Sequence, residues 1–76
     1  MEIHEMIQKV KSKEDFIEFL SCLTKDLEKN HDEWENPTLE RFLEAMGAWL
    51  IDSKSVPDQP TWRTLADILY ASKIYE

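Results

Sequence analysis

The predicted fold of this chain depends on one stretch, Trp34-Glu-Asn-Pro-Thr-Leu-Glu-Arg-Phe-Leu-Glu-Ala-Met-Gly-Ala-Trp-Leu-Ile51. Its apolar residues recur at the i, i+3, i+4, i+7 spacing that places side chains on one face of an α-helix. Asn36 is a suitable N-cap, and Pro37 suits the first helical position because the N–H that proline lacks would have no partner there. We therefore predict a central helix over residues 37–52, against which two other amphipathic helices pack. Its predicted core side comprises Leu39, Phe42, Leu43, Met46, Trp49 and Leu50.

Helix-start signals precede two further apolar patterns. Ser12 is a good N-cap, and the acidic residues after it complement the helix dipole, so we predict a helix over residues 13–29. Asn30 is predicted to end that helix in the left-handed conformation that asparagine tolerates. Pro60 and the threonine after it begin the last pattern, which predicts a third helix over residues 61–74.

The segment before these helices carries a shorter helical spacing of apolar residues. Residues 2–10 are too few to form a stable helix alone, so we predict a short helix or a hydrophobic arm that packs alongside the others. No stretch shows the alternation of a half-buried strand. The predicted class is therefore all-α, a small bundle of three main helices plus a short N-terminal segment, in a single helical domain over residues 1–76.

Charge and composition limit the expected partners. The chain has 76 residues and a net charge of −7 at pH 7. Binding to nucleic-acid phosphates or anionic lipids needs Lys and Arg, so we expect neither DNA, RNA nor a membrane as a partner. The remaining interpretations of the acidity are a basic protein partner and a charge that serves only solubility. Residues 1–5 lack the basic start of a signal peptide, and no stretch approaches the about 20 apolar residues of a membrane span, so we expect a cytoplasmic location.

Few residues in the chain could carry catalysis. Cys22 lies among apolar residues without the signature of a nucleophile, which is typical of a packing residue. The single glycine, Gly47, lies within a helix pattern, so it cannot form a phosphate-binding loop. We therefore predict that the protein is not an enzyme and has no cofactor. An interior glycine destabilises a helix by about 1 kcal/mol, which suggests a packing role for Gly47. We expect its missing side chain to let the ring of Trp62 lie close to the helix backbone.

Acidic residues and a histidine occur together before the central helix. Carboxylate oxygens are common ligands of divalent cations, so a small-molecule- or metal-binding protein is an alternative function. The spacing matches no calcium-binding loop, and a solvated turn is the more ordinary interpretation of such a cluster. The candidate metal ligands are Glu28, His31, Asp32 and Glu35.

Aromatic and acidic residues together favour a protein interface. Tryptophan and tyrosine are enriched in interfaces, and the chain has more of them than a core of this size hides completely. Burial of these rings with only the N–H or O–H at the surface is an equally weighted alternative. The leading interpretation is an acidic, aromatic-bearing face that binds a basic protein, as an immunity or antitoxin protein does by analogy. A homodimer that buries the surplus aromatic rings is a third alternative. For Glu40 and Glu44, one helical turn apart, a solvated face is the more ordinary interpretation, and pairing with Arg63 or with a partner is the alternative. The candidate partner-binding residues are Trp34, Glu35, Glu40 and Glu44, with Trp62 and Arg63 as a second patch.

Two segments resemble a known family. They are Trp34-Glu-Asn-Pro-Thr-Leu-Glu-Arg-Phe-Leu-Glu-Ala45 and Gln59-Pro-Thr-Trp-Arg-Thr-Leu-Ala-Asp-Ile-Leu69, with the ending Lys73-Ile-Tyr-Glu76. Together they are similar to a family of small uncharacterised bacterial proteins that is classed only as a domain of unknown function. The resemblance covers residues 16–76 and implies a bacterial, self-contained, intracellular domain. It implies no activity, cofactor or site.

Overall fold

The computed structural model describes residues 2–75, in which the chain forms four α-helices and one 3-10 turn. Met1 and Glu76, the two ends of the predicted domain, lie outside the described residues. Residues 2–75 contain no β-strand, which confirms the all-α prediction of three main helices and a short N-terminal segment. The elements are α1 (Ile3–Ile7), α2 (Lys13–Lys29), the 3-10 turn (His31–Glu33), α3 (Leu39–Asp52) and α4 (Trp62–Ile74).

The start of α3 differs from the prediction. Thr38, not Asn36, is the N-cap, because the Thr38 hydroxyl accepts a 3.2 Å hydrogen bond from the backbone N–H of Arg41. The side chain of Asn36 is already occupied, since its amide donates to the carbonyl oxygens of Ser72 and Tyr75. The prediction of a cap at Asn36 is therefore wrong, and α3 begins two residues later than expected.

The end of α2 also differs in detail. Asn30 has φ −124° and ψ 36°, so the predicted left-handed conformation is wrong. The Asn30 side chain instead donates a 2.9 Å hydrogen bond to the Asp26 carboxylate one turn earlier. The chain then continues directly into the 3-10 turn, whose first hydrogen bond runs from the N–H of Glu33 to the carbonyl oxygen of Asn30.

The helix on which each of the others packs is α4. It packs against α1, α2 and α3, whereas α3 packs against no other helix within residues 2–75. In that range no Cα atom of α2 lies within 8 Å of a Cα atom of α3. The prediction that α3 is the central helix is therefore wrong. The physical reason is side-chain size, because α4 buries the small residues Ala66, Ala71 and Ser72, which let neighbouring helices approach from several sides.

The core lies between α1, α2 and α4, and only one edge of α3 reaches it. Ile7, Phe19 and Ala66 are buried there, and Phe42 of α3 packs against this cluster from one side. The predicted core side of α3 is wrong in part, because the backbone of α3 approaches only one of the other described helices. Its three leucines are exposed to different degrees: Leu39 is 73% exposed, Leu43 54% and Leu50 39%.

Gly47 does not mark a close approach between elements. A Cβ atom built on Gly47 would have no neighbouring atom within 4 Å, and the residue faces solvent. The Trp62 ring lies instead against Phe16 of α2, with 5.5 Å between ring centroids. The predicted packing of Trp62 on Gly47 is therefore wrong, because Gly47 is on the outward side of α3.

No helix within residues 2–75 has both the length and the apolar character needed to span a membrane.

Candidate functional site

A partly buried polar cluster joins α2, the segment after the 3-10 turn, and α4. Oδ2 of Asp26 accepts hydrogen bonds from the Trp34 indole Nε1 at 2.8 Å and from Lys73 Nζ at 2.7 Å. Oδ1 of Asp26 accepts from the Asn30 side chain at 2.9 Å. Burial raises the pKa of Asp26, but the hydrogen bonds from Lys73, Asn30 and Trp34 and the positive charge of Lys73 outweigh it, so the pKa lies below the ordinary value of 3.8.

The same cluster fixes the position of the Trp34 ring. The Lys73 ammonium lies 5.4 Å from the centroid of Trp34 and 5.8 Å from that of Tyr70, within the range of cation–π attraction. The Trp34 ring also stacks on Phe42 of α3, with 6.1 Å between centroids. Trp34 is only 8% exposed and therefore joins α2, α3 and α4 internally. Its ring does not protrude into solvent, so it is not the exposed anchor that was expected at this position.

Asn36 closes the C-terminal end of α4. Its side-chain amide donates to the carbonyl oxygens of Ser72 at 3.0 Å and Tyr75 at 2.6 Å, and its backbone N–H donates to the carbonyl oxygen of Lys73 at 3.2 Å. The last carbonyl groups of a helix have no partners within the helix, so these bonds satisfy groups that would otherwise need water. Sequence reasoning missed this role, because the asparagine before Pro37 reads as a local helix cap.

The two predicted partner-binding patches do not come together. Trp34 contacts Lys73 near the end of α4, whereas Trp62 begins α4, so the patches are separated by about 16 Å along that helix. Glu35, Glu40 and Glu44 are exposed as expected. Trp62 is 38% exposed, so part of its ring is in solvent.

Arg63 contacts the N-terminal segment and not the acidic residues of α3. Its Nη2 donates a 3.1 Å hydrogen bond to the carbonyl oxygen of Gln8, just after α1. Its Nε is buried without a hydrogen-bond partner. Among the described residues, neither Glu40 nor Glu44 forms an ion pair with Arg63, so the alternative of that pairing is wrong.

The predicted metal ligands lie on an exposed turn. Glu28, His31, Asp32 and Glu35 all face solvent, and His31 Nδ1 lies 4.0 Å from Asp32 Oδ1. Over residues 2–75, no group of three or more His, Cys, Asp or Glu side chains is arranged to hold a metal ion. The metal-binding alternative thus has no assembled ligand set and stays a prediction.

An open apolar groove runs between α2 and α3, and we call it the interhelical groove. Its volume is about 290 Å³, and buried Leu23 and Trp34 contribute to its lining together with Leu27 and Phe42. Leu39 forms its edge on the α3 side. The apolar side of α3 continues from this edge through Leu43 and Leu50, and we call these three exposed leucines the α3 stripe. Sequence reasoning had assigned the stripe to the core.

Three exposed acidic residues of α2 and α3 follow the groove and the α3 stripe. Glu40 and Glu44 follow the α3 stripe around the helix, and Glu28 lies one turn beyond Thr24, which lines the groove on α2. We call Glu28, Glu40 and Glu44 the acidic rim. Among residues 2–75, no Lys or Arg lines the groove. Arg41 lines a different cavity, with Tyr75, and Lys25 lines the polar cavity beside α1, so these two basic residues of α2 and α3 are turned away from the groove.

The comparisons with known proteins identify a family and no activity. No curated protein and no solved structure matches this chain. One family does match, over residues 12–76, and it is described as a family of unknown function (DUF7660). The matched region begins at Ser12, the N-cap of α2, and includes Trp34 and Asn36 as well as the interhelical groove. The chain therefore belongs to this family of unknown function.

Proposed function

We propose that this protein is a non-enzymatic interaction module that binds a basic protein through the interhelical groove and the α3 stripe. The observation that carries the proposal is the exposure of the stripe, in which Leu39 is 73% and Leu43 is 54% exposed. Contiguous apolar surface beside a groove is typical of a binding site in a small soluble domain. A partner that covered these leucines would gain the hydrophobic free energy that α3 leaves unused.

The electrostatics support a basic partner. The chain carries a net charge of −7, and the acidic rim borders the apolar surface without ion-pair partners among residues 2–75. Opposite charge around an apolar centre speeds association and selects the partner. The proposal keeps Glu40 and Glu44 from the predicted set. It assigns Trp34 to the scaffold, because that ring is buried against Phe42 and hydrogen-bonded to Asp26.

Site-specific photo-cross-linking tests the proposal. A photoreactive amino acid replaces Leu43 in one sample and Lys54, an exposed residue of the loop after α3, in a matched control. In the native host, we expect position 43 to give a discrete adduct with a basic protein of another kind and position 54 to give much less of it. Adducts at position 43 that contain only a second copy of this chain would support the homodimer instead. Equal labelling at both positions, or none at 43, would also contradict the proposal.

A further inference from the structure

We infer that the occupant of the interhelical groove is an amphipathic helix of the partner, about three turns long and basic along its flanks. The inference rests on the proposed function and names the recognition mode. It begins from the packing of the helices, because α2 and α3 each pack on α4 but bring no Cα atoms within 8 Å of each other. A helix laid between them would bury its apolar side against both walls, in the helix-in-groove mode of peptide recognition.

The secondary structure of the described chain favours a helix over an extended segment. An extended peptide gains most of its affinity by adding a strand to an exposed sheet edge. Residues 2–75 contain no strand, so they offer no such edge. The α3 stripe instead presents leucines at positions 39, 43 and 50, which span about 16 Å along α3 at 1.5 Å per residue. A partner helix of about 11 to 14 residues matches that length.

The charges distinguish the partner helix from a second copy of this chain. In a symmetric dimer that packed α3 on α3, the Glu40 and Glu44 side chains of both copies would lie around one apolar contact. Each copy would also bring a net charge of −7. Like charges around an interface oppose association, whereas Lys or Arg beside the apolar residues of a partner helix would pair with the rim. The occupant is therefore a basic helix from another protein.

The experiment is a selection of peptides on the folded chain. The probe is a displayed library of 14-residue helical peptides with fixed leucines at i, i+4, i+7 and i+11 and flanking positions drawn from Lys and Glu. We expect the selected peptides to be rich in Lys. We expect their affinity, measured by fluorescence anisotropy, to fall about tenfold for the double variant E40Q/E44Q and to fall with added salt.

Matched variants on α3 locate the binding surface. Leu43→Glu lies in the stripe, and Ile51→Glu is a control of the same chemistry on the same helix. Ile51 is 81% exposed and lies about 100° around α3 from Leu50, on the side of the acidic rim and away from the groove. We expect at least a tenfold loss of peptide affinity for Leu43→Glu and less than a twofold change for Ile51→Glu. Leu39→Gln serves as a second stripe variant if circular dichroism shows that Leu43→Glu is not folded.

The outcomes separate this inference from the proposed function. Selected peptides without excess Lys, peptides that bind without helical circular dichroism, or no enrichment at all would overturn the basic-helix inference. So would equal losses for the Leu43 and Ile51 variants. If position 43 still cross-linked to a different protein, the interaction module would stand with another kind of occupant. Cross-links confined to copies of this chain would remove the proposed function itself.

Discussion

The Trp34 indole N–H donates a 2.8 Å hydrogen bond to the Asp26 carboxylate, although the two residues belong to different segments on either side of the 3-10 turn. The same carboxylate oxygen accepts from Lys73 of α4 at 2.7 Å. The side chains of Lys73 and Asp26 are only 12% and 15% exposed, so this ion pair is better protected from water than an ordinary surface pair. The Asp26 carboxylate therefore links α2, the Trp34 segment and α4.

Replacing Asp26 should destabilise the fold. Asp26→Asn leaves the largely buried Lys73 ammonium without its counter-charge, and we expect a loss of about 2 to 3 kcal/mol in the free energy of unfolding at pH 7. Urea denaturation followed by tryptophan fluorescence measures it. Asp32→Asn is the matched control, because Asp32 is fully exposed and should change stability by less than about 0.5 kcal/mol. Equal effects of the two substitutions would show that the Asp26 cluster contributes little.

The stability of the wild type should depend on Asp26 ionisation at low pH. The folded-state pKa of Asp26 lies below 3.8, whereas the pKa of an aspartate in the unfolded chain is about 3.9. A lowered folded pKa gives stability that is present above the unfolded value and is lost as pH falls through the folded value. The difference in unfolding free energy between wild type and Asp26→Asn should therefore be constant from pH 5 to 7 and shrink below pH 4. A difference that stays unchanged down to pH 2 would contradict this assignment.

Asn36 should contribute more to stability than an exposed asparagine. Asn36 is buried, and Asn36→Ala leaves the Ser72 and Tyr75 carbonyl oxygens without their side-chain donor. We expect the free energy of unfolding to fall by about 2 kcal/mol. Hydrogen exchange should also report faster opening of the last turn of α4. Asn30→Ala removes one exposed hydrogen bond and should lose about 0.5 kcal/mol. If both variants lost the same amount, the closure of α4 by Asn36 would be energetically unimportant.

The helices could be predicted from the sequence, but their arrangement could not. Local signals decide where a helix lies, and the Ser12 cap and apolar spacing predict α2 over residues 13–29 as observed. An apolar spacing does not say which neighbour covers the helix face. The leucines of α3 have a core-like spacing, yet α4, with its buried small residues, is the helix on which the others pack. Periodicity alone therefore could not distinguish a buried stripe from an exposed one.

The candidate site could be predicted only in part, for the same reason. The exposed acidic residues Glu40 and Glu44 follow from their positions on α3. Asn36 was misassigned because its partners lie 36 and 39 residues further along the chain, beyond the reach of any local pattern. Trp34 was expected in an interface because tryptophan is common there, but its indole N–H donates to the Asp26 carboxylate of α2. Such pairings depend on the tertiary fold.

Replacing Gly47 should stabilise the protein. A Cβ atom at Gly47 would have no neighbour within 4 Å, and alanine is a better helix former than glycine. We therefore expect Gly47→Ala to raise the free energy of unfolding by about 0.5 to 1 kcal/mol, measured by thermal denaturation. Ala48→Gly, at the exposed neighbouring position, should lower it by a similar amount. Destabilisation by Gly47→Ala would show that something packs against this side of α3.

An NMR titration of the isotope-labelled protein tests most directly the claim that the interhelical groove and the α3 stripe form the binding surface. The ligand is the Lys-rich helical peptide recovered by the selection, and the readout is the shift of each backbone amide signal. The account predicts that the largest shifts lie in residues 20–27 of α2 and 39–50 of α3, with little change around Trp62 and Arg63. Shifts centred on the start of α4 or on the polar cavity beside α1 would contradict it.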